Sequence, residues 1–135
     1  MKYLCMAYEE ESRLDALSPE QWQALRNETL NYVEELKRGG YHIASAPLQS
    51  VKTAMTVRVR NGRMSATDGP FAETKETLGG FFMIEARDLN EAVQIAARWP
   101  SARLGSIEVR PIAEQLPTES RYGTTPQTEN RRDVR

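Results

Sequence analysis

The residues best suited to carry out chemistry are concentrated between Asp68 and Glu76. This stretch holds three carboxylates, those of Asp68, Glu73 and Glu76, and the ammonium group of Lys75. Such a cluster can bind a polar ligand, or its members can shift one another's pKa values. A charged cluster of this kind is also typical of a solvated loop. The sequence leaves both interpretations open.

Asp68 begins the segment Asp68-Gly69-Pro70-Phe71, which has the residue types of a tight turn. Aspartate can accept backbone N–H bonds, glycine tolerates positive φ, and proline fixes the next φ. In this interpretation Asp68 is a scaffold residue and Phe71 fills the core. In the alternative, Asp68 faces a cleft at the sheet edge as a general base or as the acceptor of a ligand's hydrogen bond.

Glu108 and Arg110 form a second charged group, in the last strand predicted from the sequence. They are two residues apart, so on a strand they share one face. If that face is buried in an interface, both charges need partners, and Asp68 and Glu73 are candidates. The simpler interpretation is a structural ion pair. We therefore include Asp68, Phe71, Glu73, Lys75, Glu108 and Arg110 in the predicted ligand-binding set.

His42 is the only histidine and Cys5 the only cysteine of the chain. His42 is a weak second candidate for acid-base catalysis because its pKa lies near neutrality, although a hydrogen-bonded surface histidine is the commoner case. Cys5 lies in an apolar segment and would need a base to act as a nucleophile. One histidine and one cysteine are too few for a nitrogen and sulfur metal site, and no phosphate-binding loop is present. We predict no metal and no cofactor.

The charge balance limits the classes of partner. The chain has 135 residues, with 18 Lys and Arg against 19 Asp and Glu, for a formal net charge of -1. Nucleic-acid binding rests on an excess of basic residues, so we expect none, and we interpret Arg58, Arg60 and Arg63 as a solvated strand face. No apolar run approaches the roughly 18 residues of a membrane span. A single cysteine and the absence of a signal-peptide pattern predict a cytoplasmic protein.

Two helices are predicted from their end signals. Ser18-Pro19-Glu20-Gln21 combines a capping box with proline at the first helical position, and Gly39-Gly40 supplies a left-handed stop. Between them, apolar residues recur at steps of three and four. Asp88-Leu89-Asn90-Glu91 predicts a second helix, which Pro100 ends.

Strands are predicted over residues 2–8, 51–60, 81–86 and 107–112. Residues 51–60 alternate apolar and polar side chains, which predicts one buried and one wet face. Asn61-Gly62 then favours a tight hairpin with a short return strand through Met64 and Ala66. The order β-α-β-(β)-β-α-β predicts a ferredoxin-like α+β fold with an extra hairpin strand. Because two helices cover only one sheet face, we expect a homodimer in which two sheets meet.

The chain divides into a folded body and a polar tail. We predict an α+β domain over residues 1–112. Residues 113–135 contain few large apolar side chains and are expected to form a flexible tail.

Residues 67–80 read Thr-Asp-Gly-Pro-Phe-Ala-Glu-Thr-Lys-Glu-Thr-Leu-Gly-Gly, and this segment resembles the DGPF domain family, the YCII-related proteins. Gly80-Phe81-Phe82 after the motif, Pro47-Leu48-Gln49 before it and Met1-Lys2-Tyr3-Leu4 at the start agree with that resemblance, which covers about residues 1–112. It implies a dimeric α+β barrel and little defined chemistry. Related YCII proteins carry a His-Asp pair suggested for acid-base catalysis, with the histidine in the first helix. Residues 19–38 here contain no histidine.

Two functions therefore stay open. The first, which the missing helix histidine favours, is a non-enzymatic dimeric domain that binds a small polar ligand or a regulatory partner protein. Some DGPF proteins are encoded beside extracytoplasmic-function sigma factors, so the resemblance also implies a regulatory setting. The second is a cofactor-independent enzyme that uses Asp68 in acid-base chemistry in a cleft at the dimer interface.

Overall fold

The computed structural model describes residues 1–114, which form an α+β fold. Three helices and six strands lie along these residues, with short 3-10 turns at Val51–Thr53 and Pro100–Arg103. The elements are β1 (Lys2–Glu9), α1 (Glu11–Asp15), α2 (Pro19–Arg38), β2 (His42–Pro47), β3 (Met55–Arg60), β4 (Arg63–Asp68), β5 (Thr77–Glu85), α3 (Leu89–Ala97) and β6 (Ser106–Pro111). The tail predicted over 113–135 falls, from residue 115 onward, outside the described residues.

Four strands form one antiparallel sheet in the order β2-β5-β1-β6, and β3 and β4 form a separate two-stranded hairpin. The prediction that residues 81–86 form a central strand is confirmed, because β5 lies between β2 and β1. Side chains alternate along β1 and β5, so the main sheet has two distinct faces. The inner face faces the helices and carries Tyr3, Cys5, Phe82 and Ile84, all fully buried.

The core lies between this inner face and the helices. Tyr32 and Leu36 reach it from α2, and Ile95 reaches it from α3. At its centre the Phe82 and Trp99 rings stack with centroids 4.0 Å apart. The Tyr32 hydroxyl donates a hydrogen bond of 2.7 Å to the Ile95 carbonyl, so the two helices are joined inside the core. The predicted helical cover of one sheet face is confirmed.

The helix ends follow the predicted capping chemistry. Ser18 and Gln21 form a complete capping box, and Gly40 takes the left-handed conformation after α2. At α3, Asp88 accepts a hydrogen bond from the Glu91 amide, while the Glu91 side chain bonds the Arg87 amide instead of that of Asp88. The acidic segment after β1 leads directly into the short helix α1.

The strand that follows α2 differs from the prediction. The structure places His42–Pro47, and not residues 51–60, in the main sheet beside β5. Residues 51–53 form a 3-10 turn, and β3 begins only at Met55. The strand predicted over residues 81–86 begins earlier, because β5 starts at Thr77. The reason is that β2 is defined by its pairing with β5, while its own residues show no clear alternation.

The hairpin confirms the predicted turn but not the predicted burial. Asn61 and Gly62 both have positive φ, of 53° and 74°, as a tight hairpin turn needs. The apolar face expected to be buried is exposed, with Val57 61% and Met64 68% accessible to solvent. No part of the described chain covers these two side chains.

Candidate functional site

The motif loop, residues 68–76, joins the hairpin to the main sheet. At its start Gly69 adopts a φ of 107°, and its amide donates to the Ala54 carbonyl at 2.8 Å. The Thr56 hydroxyl donates to the Gly69 carbonyl, also at 2.8 Å. Hydrogen bonds of the Gly69 amide and carbonyl therefore hold the turn. The Asp68 carboxylate is exposed and accepts no hydrogen bond within residues 1–114, so it does not cap the turn as the scaffold interpretation expected.

Phe71 does not fill the core, contrary to the scaffold interpretation. Its side chain is 80% exposed, and its ring lies 5.7 Å from the guanidinium carbon of Arg58 on the hairpin. The reason is topological: the motif loop begins at the end of β4, and that hairpin stands apart from the helix-covered core. The loop therefore presents an aromatic ring and the Asp68 carboxylate at the surface.

The second half of the motif loop contacts the end of β1. Lys75 lies 4.0 Å from the Glu10 carboxylate, and Glu76 accepts a hydrogen bond of 2.9 Å from the Ser106 hydroxyl. Glu73 is exposed. Of the three charged residues after Phe71, two therefore have partners on other elements, and none makes an ion pair or hydrogen bond with the Asp68 carboxylate among the described residues.

The outer face of the sheet is the side opposite the core. Both long helices pack on the inner face, and the side chains of the outer face are only partly buried. Its floor is apolar and includes aromatic and sulfur-containing side chains, which pack well against flat ligands. Strand register places Leu4, Met6, Tyr8, Phe81, Met83, Glu108 and Arg110 on this face.

Glu108 and Arg110 form an ion pair on the outer face, so the predicted sharing of one strand face is confirmed. The Arg110 Nε donates to a Glu108 carboxylate oxygen at 3.0 Å, and Nη2 makes a second, shorter contact to the same oxygen. This hydrogen bonding, with a smaller contribution from Tyr8, raises the pKa of Arg110. Neither Asp68 nor Glu73 is the partner. Because guanidinium has five N–H donors, Arg110 keeps donors for another acceptor.

His42 lies at the start of β2, where one ring nitrogen is 2.9 Å from the Ser45 hydroxyl. Burial, together with the nearby positive charge of Lys37, lowers its pKa. It is therefore a hydrogen-bonded, predominantly neutral histidine at neutral pH. Its strand lies at the sheet edge opposite β6, which carries Glu108 and Arg110.

Cys5 is fully buried, and burial raises the pKa of its thiol to about 12. A thiol with such a pKa is not a nucleophile at neutral pH. Within the described part of the chain, no three His, Cys, Asp or Glu side chains are grouped closely enough to hold a metal ion. No helix among residues 1–114 is long and apolar enough to cross a membrane.

Glu9 is a half-buried carboxylate that sequence reasoning did not single out. Burial is the main cause that raises its pKa, and Ser101 acts in the opposite direction. The Ser101 hydroxyl is buried and makes no hydrogen bond of ordinary geometry to another described residue. A Cβ atom at Gly79 would lie 2.3 Å from a Glu9 carboxylate oxygen, so this carboxylate packs on bare backbone. Glu9, Gly79 and Ser101 are far apart in the sequence and come together only in the folded chain.

A surface groove of α2 and the Pro100–Arg103 turn is lined by paired charges. Arg103 makes two hydrogen bonds, of 2.9 and 2.7 Å, to Glu28, and Arg98 lies 2.8 Å from Glu35. Because both carboxylates already bind arginine, the groove has the character of a structural ion-pair network.

The described residues thus form a small α+β domain with one helix-covered sheet face, one open face and a motif loop beside a hairpin. A family model for the YCII-related domain matches residues 1–115. The chain belongs to the YCII-related domain family.

Two comparisons accompany this assignment. An uncharacterized protein of Rhizobium meliloti (strain 1021) is 37% identical over 125 residues, which cover 88% of this chain and 98% of that protein. Among solved structures, 5-chloro-2-hydroxyhydroquinone dehydrochlorinase (TftG) of Burkholderia phenoliruptrix AC1100, in complex with 2,5-dihydroxybenzoquinone, matches with a TM-score of 0.43 and 18% identity. That match covers 83% of this chain and 93% of the other.

Proposed function

We propose that this YCII-related protein is a homodimeric binding domain that holds a small amphiphilic anion on the outer face of its sheet. The ligand class is a carboxylate or phenolate with an apolar body. One observation carries the proposal: Arg110 presents a guanidinium group on a sheet face whose other strands supply Leu4, Met6 and Phe81. A cation beside an apolar floor matches the two ends of such a ligand.

The free hydrogen-bond donors of Arg110 support an anionic ligand on the outer face. The Glu108 carboxylate accepts hydrogen bonds from two nitrogens of the Arg110 guanidinium and so fixes its orientation. The remaining N–H groups can donate to an oxygen anion. The Tyr8 hydroxyl lies on the same face and adds a donor or acceptor.

The dimer part of the proposal rests on the partly exposed apolar side chains of the outer face. In a single chain this face is open to water, and ligand sites usually bury most of the ligand's surface. A second sheet placed over the first would enclose the ligand and strengthen its interaction with Arg110 by excluding water. Light scattering at micromolar concentrations is expected to give a dimer mass, and a mass of about 15 kDa would contradict this part.

Ligand titration tests the binding part. We expect benzoate, salicylate or a related small aromatic acid to raise Tm, because a ligand that binds only the folded state stabilises it by mass action. Arg110→Gln should weaken that ligand roughly ten- to hundredfold, the range for loss of a charge-assisted hydrogen bond. Arg26→Gln, at an exposed position on α2, is the matched control and should bind normally. Equal affinities of the two variants would overturn the proposal.

A second candidate function is acid-base catalysis by Asp68. It is favoured by one observation, the exposed Asp68 carboxylate that accepts no hydrogen bond from the described residues. In this case Asp68→Asn would abolish turnover of a bound ligand and leave its affinity unchanged. If the wild type converts none of the ligands that it binds, the binding function stands alone.

A further inference from the structure

The polar face of the β3–β4 hairpin carries a concentration of positive charge. Strand register places Arg58 and Arg60 of β3 and Arg63 of β4 together on this basic face. Residues 51–67 contain no acidic residue. The carboxylate of Asp68, at the end of β4, belongs by register to the opposite, apolar face. The hairpin therefore places no negative charge of its own on the basic face.

Two of these arginines face each other without a carboxylate partner. Arg60 and Arg63 lie directly opposite each other beside the hairpin turn, and like charges in this position destabilise a strand pair. Elsewhere in the chain, Arg98 and Arg103 each bind a glutamate. Within residues 1–114, by contrast, none of the three hairpin arginines forms an ion pair. An anion bound between the opposed guanidinium groups would remove their repulsion and accept their hydrogen bonds.

The tertiary structure adds an aromatic ring to the basic face. The centre of the Phe71 ring lies 5.7 Å from the guanidinium carbon of Arg58, and the Phe71 side chain is 80% exposed. No aromatic residue is interleaved with the three arginines in the sequence, so only the fold brings the ring and the charges together. Basic groups beside an exposed ring are the combination that binds single-stranded nucleic acid, because the charges contact phosphates and the ring stacks on a base.

We infer that the basic face of the hairpin, together with Phe71, binds a short stretch of single-stranded nucleic acid. The phosphates lie against the guanidinium groups of Arg58, Arg60 and Arg63, and one base stacks on the exposed ring. Ser65, opposite Arg58, adds an exposed hydroxyl of the kind that contacts phosphate oxygens. The inference goes beyond the proposed function and does not depend on the dimer, since all of these residues belong to one chain.

The net charge of the whole chain conceals this local excess of basic residues. The expectation of no nucleic-acid binding rested on the near-balance of 18 basic and 19 acidic residues. That balance is an average, because residues 51–67 hold four basic residues and no acidic one. Phosphate binding depends on the charges that face the nucleic-acid backbone. A single strand is favoured over a duplex because its bases are free to stack on Phe71.

Fluorescence anisotropy with labelled oligothymidylate and oligouridylate tests the contribution of charge. Wild type should bind with a Kd of about 1–100 μM at physiological salt, and log K should fall against log salt with a slope of about −2, for three phosphate contacts. Arg60→Gln should weaken binding and reduce the magnitude of this slope by about 0.7. Arg26→Gln, at an exposed position on α2, removes the same charge away from the hairpin and is the matched control, which should change neither quantity.

Phe71→Ala tests the contribution of stacking. It should weaken binding about fivefold or more and leave the salt slope unchanged, because it removes a stacking surface and no charge. Both Arg60 and Phe71 are exposed, so both variants should fold, as checked by circular dichroism. Wild-type affinity of Phe71→Ala would overturn the inference, and so would equal losses in Arg60→Gln and Arg26→Gln. Wild type that binds phosphatidylglycerol vesicles and neither oligonucleotide would assign the hairpin to a membrane surface instead.

The small aromatic acids separate this inference from the proposed function. Arg60→Gln should bind benzoate or salicylate like wild type, because Arg60 lies on the hairpin and not on the outer face of the main sheet. Wild type that binds the oligonucleotides and none of the acids would refute the proposed function and support this inference. Wild type that binds an acid and neither oligonucleotide would refute this inference and leave the proposed function standing.

Discussion

The guanidinium carbon of Arg58 lies 5.7 Å from the centre of the Phe71 ring, and this contact joins the hairpin to the family motif. It holds the aromatic residue of the motif at the surface, on the half-buried face of the hairpin. The apolar face of the hairpin is thereby left free. The motif thus holds an aromatic ring and a carboxylate at the surface, and its Phe71 does not fill the core.

Phe71→Ala should therefore change the stability of the folded chain very little. The ring is 80% exposed, and an exposed cation–π contact contributes only about 0.5–1 kcal/mol. Urea unfolding followed by tryptophan fluorescence should give a free energy of unfolding within about 1 kcal/mol of wild type. A loss of several kcal/mol would show that Phe71 is a core residue after all.

Phe82→Ala should be strongly destabilising, by about 3–5 kcal/mol, because a large buried ring is replaced by a cavity. Phe82 is fully buried and stacks on Trp99 at 4.0 Å. Leu89→Ala is the matched control, since Leu89 at the start of α3 is 51% exposed. Denaturant unfolding of the two variants should rank them clearly, and equal losses would contradict the burial of Phe82.

Glu9→Gln should raise stability at neutral pH. Burial raises the pKa of the Glu9 carboxyl in the folded state, so ionisation at higher pH costs folding free energy. The uncharged glutamine avoids that cost. The advantage of the variant over wild type should appear as pH rises through the folded pKa and vanish below the unfolded value of about 4.3.

Thermal unfolding between pH 3.5 and 8 measures this difference. Glu73→Gln, at an exposed position, serves as the control and should show no such pH-dependent gain. A Glu9→Gln variant that is less stable than wild type at pH 7 would indicate that the carboxylate makes a favourable contact when ionised.

Gly105→Ala should disturb the junction between β1 and β6. A Cβ atom there would lie 2.1 Å from the Tyr8 carbonyl oxygen, so the backbone must shift, at a cost of about 1–3 kcal/mol or more. Gly40→Ala meets no atom within 4 Å but has a φ of 79°, and should lose about 1–2 kcal/mol from backbone strain alone. Thermal unfolding should show the larger loss for Gly105→Ala, and the reverse order would contradict the close approach.

Some elements of the fold could be predicted because their signals are local. The Ser18 and Gln21 capping box joins residues three apart, and the Asn61-Gly62 turn needs only the backbone preferences of two residues. The pairing of Glu108 with Arg110 follows in the same way from a spacing of two on one strand. Such features depend on few neighbours, so the chain specifies them without its tertiary partners.

The strand His42–Pro47 could not be recognised from its own residues. Its side chains are small or mixed in polarity, and it becomes a strand by pairing with β5, nearly forty residues further along the chain. The sequence left the position of Phe71 open for a related reason. An aromatic residue after a tight turn is apolar enough for a core, and only the separation of the hairpin from the sheet leaves it exposed.

The sequence by itself determined the family, the two long helices with their caps, the hairpin turn and the residues of the charged motif. The tertiary structure alone decided which strands share a sheet, which face of the hairpin is free, and that Glu9 packs beside Gly79 and Ser101. The physical reason is the distance along the sequence between the residues that interact. Caps and turns arise from contacts within a few residues, whereas the burial of a face depends on which distant segment lies against it.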